Sequence, residues 1–119
     1  MPWFRVDDTF AHHAKVMAAG NAACGLWVRA GAWSMQQLSD GFVPLHVARQ
    51  LGTRGEAARL VEVGLWLEKD DGYLFHEWVG RQPSRVQVEA DREAARERQR
   101  RAREAAKSRR DGRGGVTDE

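Results

Sequence analysis

The side chains of this 119-residue sequence that could do chemistry are four histidines, scattered acids, one cysteine and a run of arginines toward the carboxy end. The histidines do not suit a metal. His12 and His13 are adjacent and so point in different directions, while His46 and His76 lie on separate elements without the i, i+4 spacing that puts two ligands on one helix face. Asp7, Asp8, Asp70 and Asp71 fall where turns are expected, and aspartate is favoured in turns for its local hydrogen bonds to the backbone. Neither a glycine-rich phosphate loop nor a nucleophile elbow is present. The expectation is a protein that is not an enzyme and takes no cofactor. Cys24 stands alone, which excludes an intramolecular disulfide or a cysteine-based zinc site and fits a reducing cytoplasm.

The cations carry more information. The net charge is only +2, yet Arg98, Arg100, Arg101, Arg103, Lys107, Arg109 and Arg110 face a single acid, Glu104, in the same stretch. A charge run is often no more than a solvated face. Here the excess is nearly all arginine, whose planar fork suits bidentate phosphate contacts, so double-stranded DNA is the favoured partner. Arg54 and Arg59 form a second candidate surface, on a helix whose amino-terminal half could face base edges. Glu56 and Glu62 interrupt that charge, and Glu68, Asp70 and Asp71 nearby would repel a phosphate backbone. Base reading by this helix and an ordinary solvated face both remain open.

The elements that must position these groups centre on residues 42 to 78. Val43-Pro44 places proline at the first turn of a helix, where its missing N–H has no intrahelical partner. Leu45 to Leu51 supplies a short amphipathic helix, and Gly52 is expected to end it in a left-handed cap. Thr53-Arg54-Gly55-Glu56 has the form of a capping box, opening a second helix that continues through Ala57, Leu60, Val61 and Gly64. Two helices joined this tightly form a helix-turn-helix. Leu65 to Lys69 and Tyr73 to His76 then flank Asp70-Asp71-Gly72, a hairpin signal in which Gly72 is expected to need positive φ. Helix, turn, helix and hairpin predict a winged helix, with Phe42-Val43 pairing as a brief strand with the wing.

All five tryptophans, all four phenylalanines and the single tyrosine lie at or before Trp78, so the folded domain is expected at 1–80. Within it Trp3 to Val6 reads as a short strand, followed by a helical turn or two from Ala11 to Ala19. Gly20-Asn21 punctuates, and Asn21 can cap the longest helix of the domain, in which Ala22, Leu26, Trp27, Ala30, Trp33 and Ser34 recur at helical spacing. Gly25 and Gly31 lower its helix propensity by about 1 kcal/mol each, which predicts close approach by a neighbour. Residues 81–83 read as a linker. Ser84 can cap an arginine-, glutamate- and alanine-rich helix over 84–110, about 40 Å long and exposed, and 111–119 is expected to be disordered. The fold class is thus mainly α with a small β-hairpin (α+β), a winged helix-turn-helix followed by a solvent-exposed basic helix. The amino terminus lacks the apolar core of a signal peptide, and no run is long enough to cross a bilayer.

Trp3-Phe4-Arg5-Val6-Asp7-Asp8-Thr9-Phe10, His13-Ala14-Lys15-Val16, Leu26-Trp27-Val28-Arg29-Ala30-Gly31-Ala32-Trp33, Asp40-Gly41-Phe42-Val43-Pro44, Val63-Gly64-Leu65-Trp66 and Phe75-His76-Glu77-Trp78 together carry a resemblance. They resemble small winged helix-turn-helix proteins of actinobacteria and their phages, which are similar to the amino-terminal domain of phage replisome organisers of the DnaD type. That resemblance covers about residues 1 to 95. It implies DNA binding or replication initiation, with the domain serving as an oligomerisation surface or meeting a replication protein. The expected function is a cytoplasmic DNA-binding protein of a phage or mobile element acting in replication or its regulation. The alternatives are a transcriptional regulator reading an operator, and a protein–protein adaptor.

Overall fold

The computed structural model describes residues 2–117, with side chains through 111. The chain divides into two compact units, Met1–Arg85 and Val86–Glu119. The first is helical with a small antiparallel sheet; the second is a single helix. Among the described residues no helix is long and apolar enough to cross a membrane.

A 3-10 turn at Phe10–His12 leads into α1 (Ala14–Gln37), where His13 Nδ1 accepts from Lys15 N at 3.2 Å as the cap. The expected break is present inside α1. Gly20 has φ 83° and ψ 167°, which is not helical, so α1 is two helical segments meeting at a kink. Of the two later glycines, only Gly31 has the close neighbour its cost predicts. A Cβ there would sit 2.2 Å from the Phe4 ring, whereas at Gly25 it would meet nothing within 4 Å.

Leu38 closes α1 in the left-handed region at φ 56°, and Ser34 holds the exit. Fully buried, its hydroxyl accepts from Gly41 N at 2.8 Å and meets Ser39 Oγ at 2.6 Å, while Ser39 Oγ donates to Phe42 O at 2.7 Å. That network delivers the chain into β1 (Phe42–Pro44), and Pro44 is the cap residue of α2 (Leu45–Leu51). Gly52 ends α2 with φ −163°, which is extended backbone and not the left-handed cap expected. Its reason is space: a Cβ would lie 2.7 Å from Glu56 Oε1 and 3.0 Å from Leu26. The capping box does form. Glu56 N donates to Thr53 Oγ1 at 3.1 Å and Thr53 N to Glu56 Oε1 at 2.7 Å, opening α3 (Arg54–Glu62).

β2 (Trp66–Lys69) and β3 (Gly72–Phe75) form the hairpin, and β1 pairs with the other edge of β3 in the order β1-β3-β2. Pro44 and Lys69 both stand opposite Gly72. Gly72 does not have the positive φ expected of it, nor do Asp70 and Asp71. Glycine is required there because β1 comes too close, a Cβ lying 2.2 Å from the Val43 carbonyl oxygen. The hairpin tip is tied down as well, since Leu45 N, at the start of α2, donates to Asp71 O at 3.0 Å.

The core joins Leu26 and Ala30 of α1, Val47 and Ala48 of α2, Ala57 and Leu60 of α3, and Val43, Trp66, Tyr73 and Phe75 of the sheet, with Trp78 beyond it. Burying a large apolar side chain stabilises by about 1.5–3 kcal/mol, so these contacts are the main force holding the unit together. Trp66, wholly buried, stacks on Tyr73 with centroids 5.0 Å apart.

Trp3 to Val6 forms no strand. Its backbone is paired by a side chain instead: Arg5 N donates to Gln82 Oε1 at 2.8 Å and Gln82 Nε2 donates to Arg5 O at 2.7 Å. The amide of Gln82 thus does for Arg5 what a neighbouring strand would do, and it holds Phe4 against Trp27, Phe75 and Trp78. Residues 81–83 are therefore no free linker, and the first unit runs past residue 80 to Arg85. α4 (Arg85–Thr117) opens with Arg85 N donating to Asp40 Oδ1 at 2.7 Å. It continues beyond the expected end at Arg110 to Thr117. The stretch expected to be disordered, 111–119, is helical as far as Thr117; residues 118–119 lie outside the described ones.

Candidate nucleic-acid interface

Within the first unit Arg29, Arg49 and Arg59 serve the fold. Arg29 Nη1 donates to Leu51 O at 2.7 Å, satisfying a carbonyl at the end of α2 that has no helical partner. Arg59 does the same for the first segment of α1: Nε and Nη2 donate to Ala18 O at 3.0 and 2.6 Å, beside the Gly20 kink, and Nη1 meets Glu62 at 3.0 Å. Arg49 Nη2 donates to the Tyr73 hydroxyl at 3.1 Å with its guanidinium over that ring. Of the two α3 candidates, Arg59 is thus committed to a carbonyl and a carboxylate. Arg54 is exposed and makes no ion pair among the described residues. The hairpin tip presents exposed Glu68, Lys69, Asp70 and Asp71, an acidic surface.

The second unit arranges its charge by helical period. Advancing 100° per residue, Arg92, Arg96, Arg100, Arg103, Lys107 and Arg110 of α4 fall within an arc of about 80°, a stripe about 27 Å long. Glu93, Glu97, Glu104 and Asp111 follow along the adjoining arc of about 40°. Arg98, Arg101 and Arg109 lie on the opposite half. The cationic run thus separates into a continuous stripe and a sparser back face. Arg92 and Arg96 belong to the stripe although a window of net charge passes over them, since Asp91 and Glu93 cancel them in sequence but not in space.

Pairing divides the set further. Arg96 meets Glu93 at 2.5 Å, Arg100 pairs with Glu97 and reaches Glu104 at 3.7 Å, and Arg101 meets Glu97 at 3.4 Å. Arg109 Nε donates weakly to Ala105 O at 3.4 Å. Arg92, Arg98, Arg103, Lys107 and Arg110 have no ion pair among the described residues, and all are exposed. Exposed pairs of this kind contribute about 0–1 kcal/mol, so a phosphate can displace a glutamate at little cost.

No three or more of the described histidine, cysteine and acidic side chains gather as a metal site. No protein-family model, curated protein or solved structure matches the chain.

Proposed function

We propose that this is a DNA-binding protein of winged helix-turn-helix type, in which α4 supplies the affinity through phosphate contacts and the first unit supplies the scaffold. The order of α2, α3, β2 and β3, with β1 on the sheet, supports the winged-helix reading. The resemblance to phage replisome organisers supports a role in replication initiation or its control in a phage or mobile element, in the cytoplasm. One observation carries the DNA reading: a stripe of six cations on one face of α4, four of which, Arg92, Arg103, Lys107 and Arg110, have no acid partner among the described residues. Backbone-directed arginines of this kind give binding that is strong at low salt and indifferent to sequence. Regulation by operator reading would rest on Arg54, because Arg59 is already engaged. The acidic hairpin tip favours the other alternative for the first unit, a surface that meets protein, either a second copy or a replication partner.

The test compares two faces of one helix. Replacing Arg96, Arg100, Arg103 and Lys107 by alanine should weaken binding to all duplexes about equally and lower the salt slope by about 0.9 for each phosphate no longer neutralised. Replacing Arg98, Arg101 and Arg109 should do distinctly less, and Arg54→Ala should matter only if one sequence is preferred. Equal losses from both faces would leave charge without geometry as the explanation. Absence of duplex binding at low salt would remove the DNA reading in favour of the adaptor.

A further inference from the structure

Apart from α4, the first unit contains a cleft of about 560 Å³ between the amino-terminal segment, the start of α1 and the turn after β3. Its volume lies within the range of small-molecule sites. Phe10, Trp27, Phe75 and Trp78 give it an aromatic wall, in which Phe10 and Trp27 stack at 4.9 Å. Arg5, Lys15 and Arg81 bring three cations to it, with Asp7 and Glu77 as the acids.

Those charges cancel only in part, Arg81 against Glu77. Glu77 is taken by Arg81 Nε at 3.0 Å and by His76 at 3.4 Å. Asp7 is turned toward Thr9, accepting from its N–H and its hydroxyl at 2.8 Å each. These bonds, the backbone one first, hold its carboxyl below the usual range, so it stays ionised at neutral pH as an acceptor. Lys15 is left half-buried with a single long contact, 3.4 Å to Gly64 O, in a first helical turn that contains no acid. The Arg5 guanidinium has no partner among the described residues, its hydrogen bonds being those of its backbone. Trp78, only 5 % exposed, lines the cleft and has a buried indole N–H with no acceptor. Buried donors nearly always have one.

We infer that this cleft binds a nucleoside phosphate, its phosphate between Lys15 and Arg5 and its base against the aromatic wall. Two cations without counter-ions suit a phosphate monoester dianion better than a single carboxylate. Within the wall Phe10 and Trp27 are half-buried while Phe75 and Trp78 are buried, so the first two are the rings that can meet a planar heteroaromatic base. Asp7, whose two bonds to Thr9 use one carboxylate oxygen, can accept from sugar hydroxyls or base N–H groups. The source is either a free mononucleotide or the phosphorylated 5′ end of a strand, and the site stands independently of the α4 reading.

Calorimetric titration of the full chain with thymidine 5′-monophosphate, thymidine and inorganic phosphate tests this, together with a thymidine trinucleotide with and without its 5′ phosphate. The monophosphate or the phosphorylated trinucleotide should bind at least about tenfold more tightly than thymidine, phosphate or the unphosphorylated trinucleotide. Binding of both phosphorylated probes indicates a site open to free nucleotides; binding of the trinucleotide alone indicates a strand end. Lys15→Gln and Arg5→Gln should each weaken that binding about tenfold while leaving duplex binding by α4 unchanged. Equal binding of inorganic phosphate, or no binding of either phosphorylated probe at about 10 mM, overturns the inference. So does unaltered binding in both variants. Loss of duplex binding on replacing the α4 stripe bears only on the proposed function.

Discussion

Gly72→Ala should be among the most damaging small substitutions in the chain. The alanine Cβ would stand 2.2 Å from Val43 O and 3.0 Å from Pro44 Cα and Val43 C. All three are backbone atoms, so no side-chain rotation can relieve the clash. A carbon and a carbonyl oxygen approach no closer than about 3.3 Å, so β1 must retreat by about 1 Å. Overpacking of this kind costs about 1–3 kcal/mol. Loosening the β1–β3 pairing and the Leu45 N to Asp71 O bond adds about 1 kcal/mol for each hydrogen bond broken. A total of about 2–4 kcal/mol should lower the midpoint of thermal unfolding by roughly 10–25 °C for a unit of this size. Circular dichroism and tryptophan fluorescence should both report it, since β3 borders Trp66. Gly72→Asn separates the two reasons for a glycine. Asparagine tolerates positive φ, so a turn requirement would spare it, whereas steric approach makes it at least as harmful as alanine. Gly80, at φ +90° with open space around its Cβ position, is the control for the conformational effect alone, and Gly80→Ala should cost about 1–2 kcal/mol. A Gly72→Ala chain melting within a few degrees of the parent would refute the argument.

Three further outcomes are expected. Gly25→Ala should stabilise by about 0.5–1 kcal/mol in denaturant titration, because its Cβ meets nothing within 4 Å, while Gly31→Ala should destabilise through the Phe4 ring at 2.2 Å; effects of the same sign at both sites would contradict this. Gln82→Ala should speed amide hydrogen exchange at Arg5 and cost about 1 kcal/mol, and Gln82→Glu, which keeps the acceptor for Arg5 N and loses the donor to Arg5 O, should fall between. Cys24 lies half-buried, and that burial raises its thiol above the ordinary value of 9.0. The folded chain therefore favours the protonated thiol, and the associated stability is complete below pH 9.0 and lost as pH rises through the folded-state value. Iodoacetamide should alkylate the native chain more slowly than the urea-unfolded chain near that pH, and equal rates would exclude the effect of burial.

The local order of elements was legible in the sequence wherever the cause was local. Thr53 and Glu56 cap α3 because both partners lie within one turn, Gly20 breaks α1 because the backbone there needs φ 83°, and Asp70-Asp71-Gly72 turns because aromatic strands flank it. The cationic character of α4 was equally plain. Its division into a stripe and a back face follows from helical period once the helix is granted, which is how Arg92 and Arg96 join the stripe.

Where the cause was an atom far along the chain, only the tertiary structure decided. Gly52 and Gly72 read as residues chosen for backbone freedom, yet Leu26 comes close to the first and Val43 to the second. Trp3 to Val6 has the composition of a strand, but its partner is the Gln82 side chain, 77 positions away from Arg5. Arg54 and Arg59 look equivalent on one helix, yet Ala18 O, 41 positions away, claims Arg59. The cleft draws its cations from three separate stretches, at Arg5, Lys15 and Arg81, and no window of sequence contains it. Propensity, capping and period act over a few residues and can be read in order. Steric approach, orphan carbonyls and uncompensated charge are properties of distance in space, and the fold alone sets that distance.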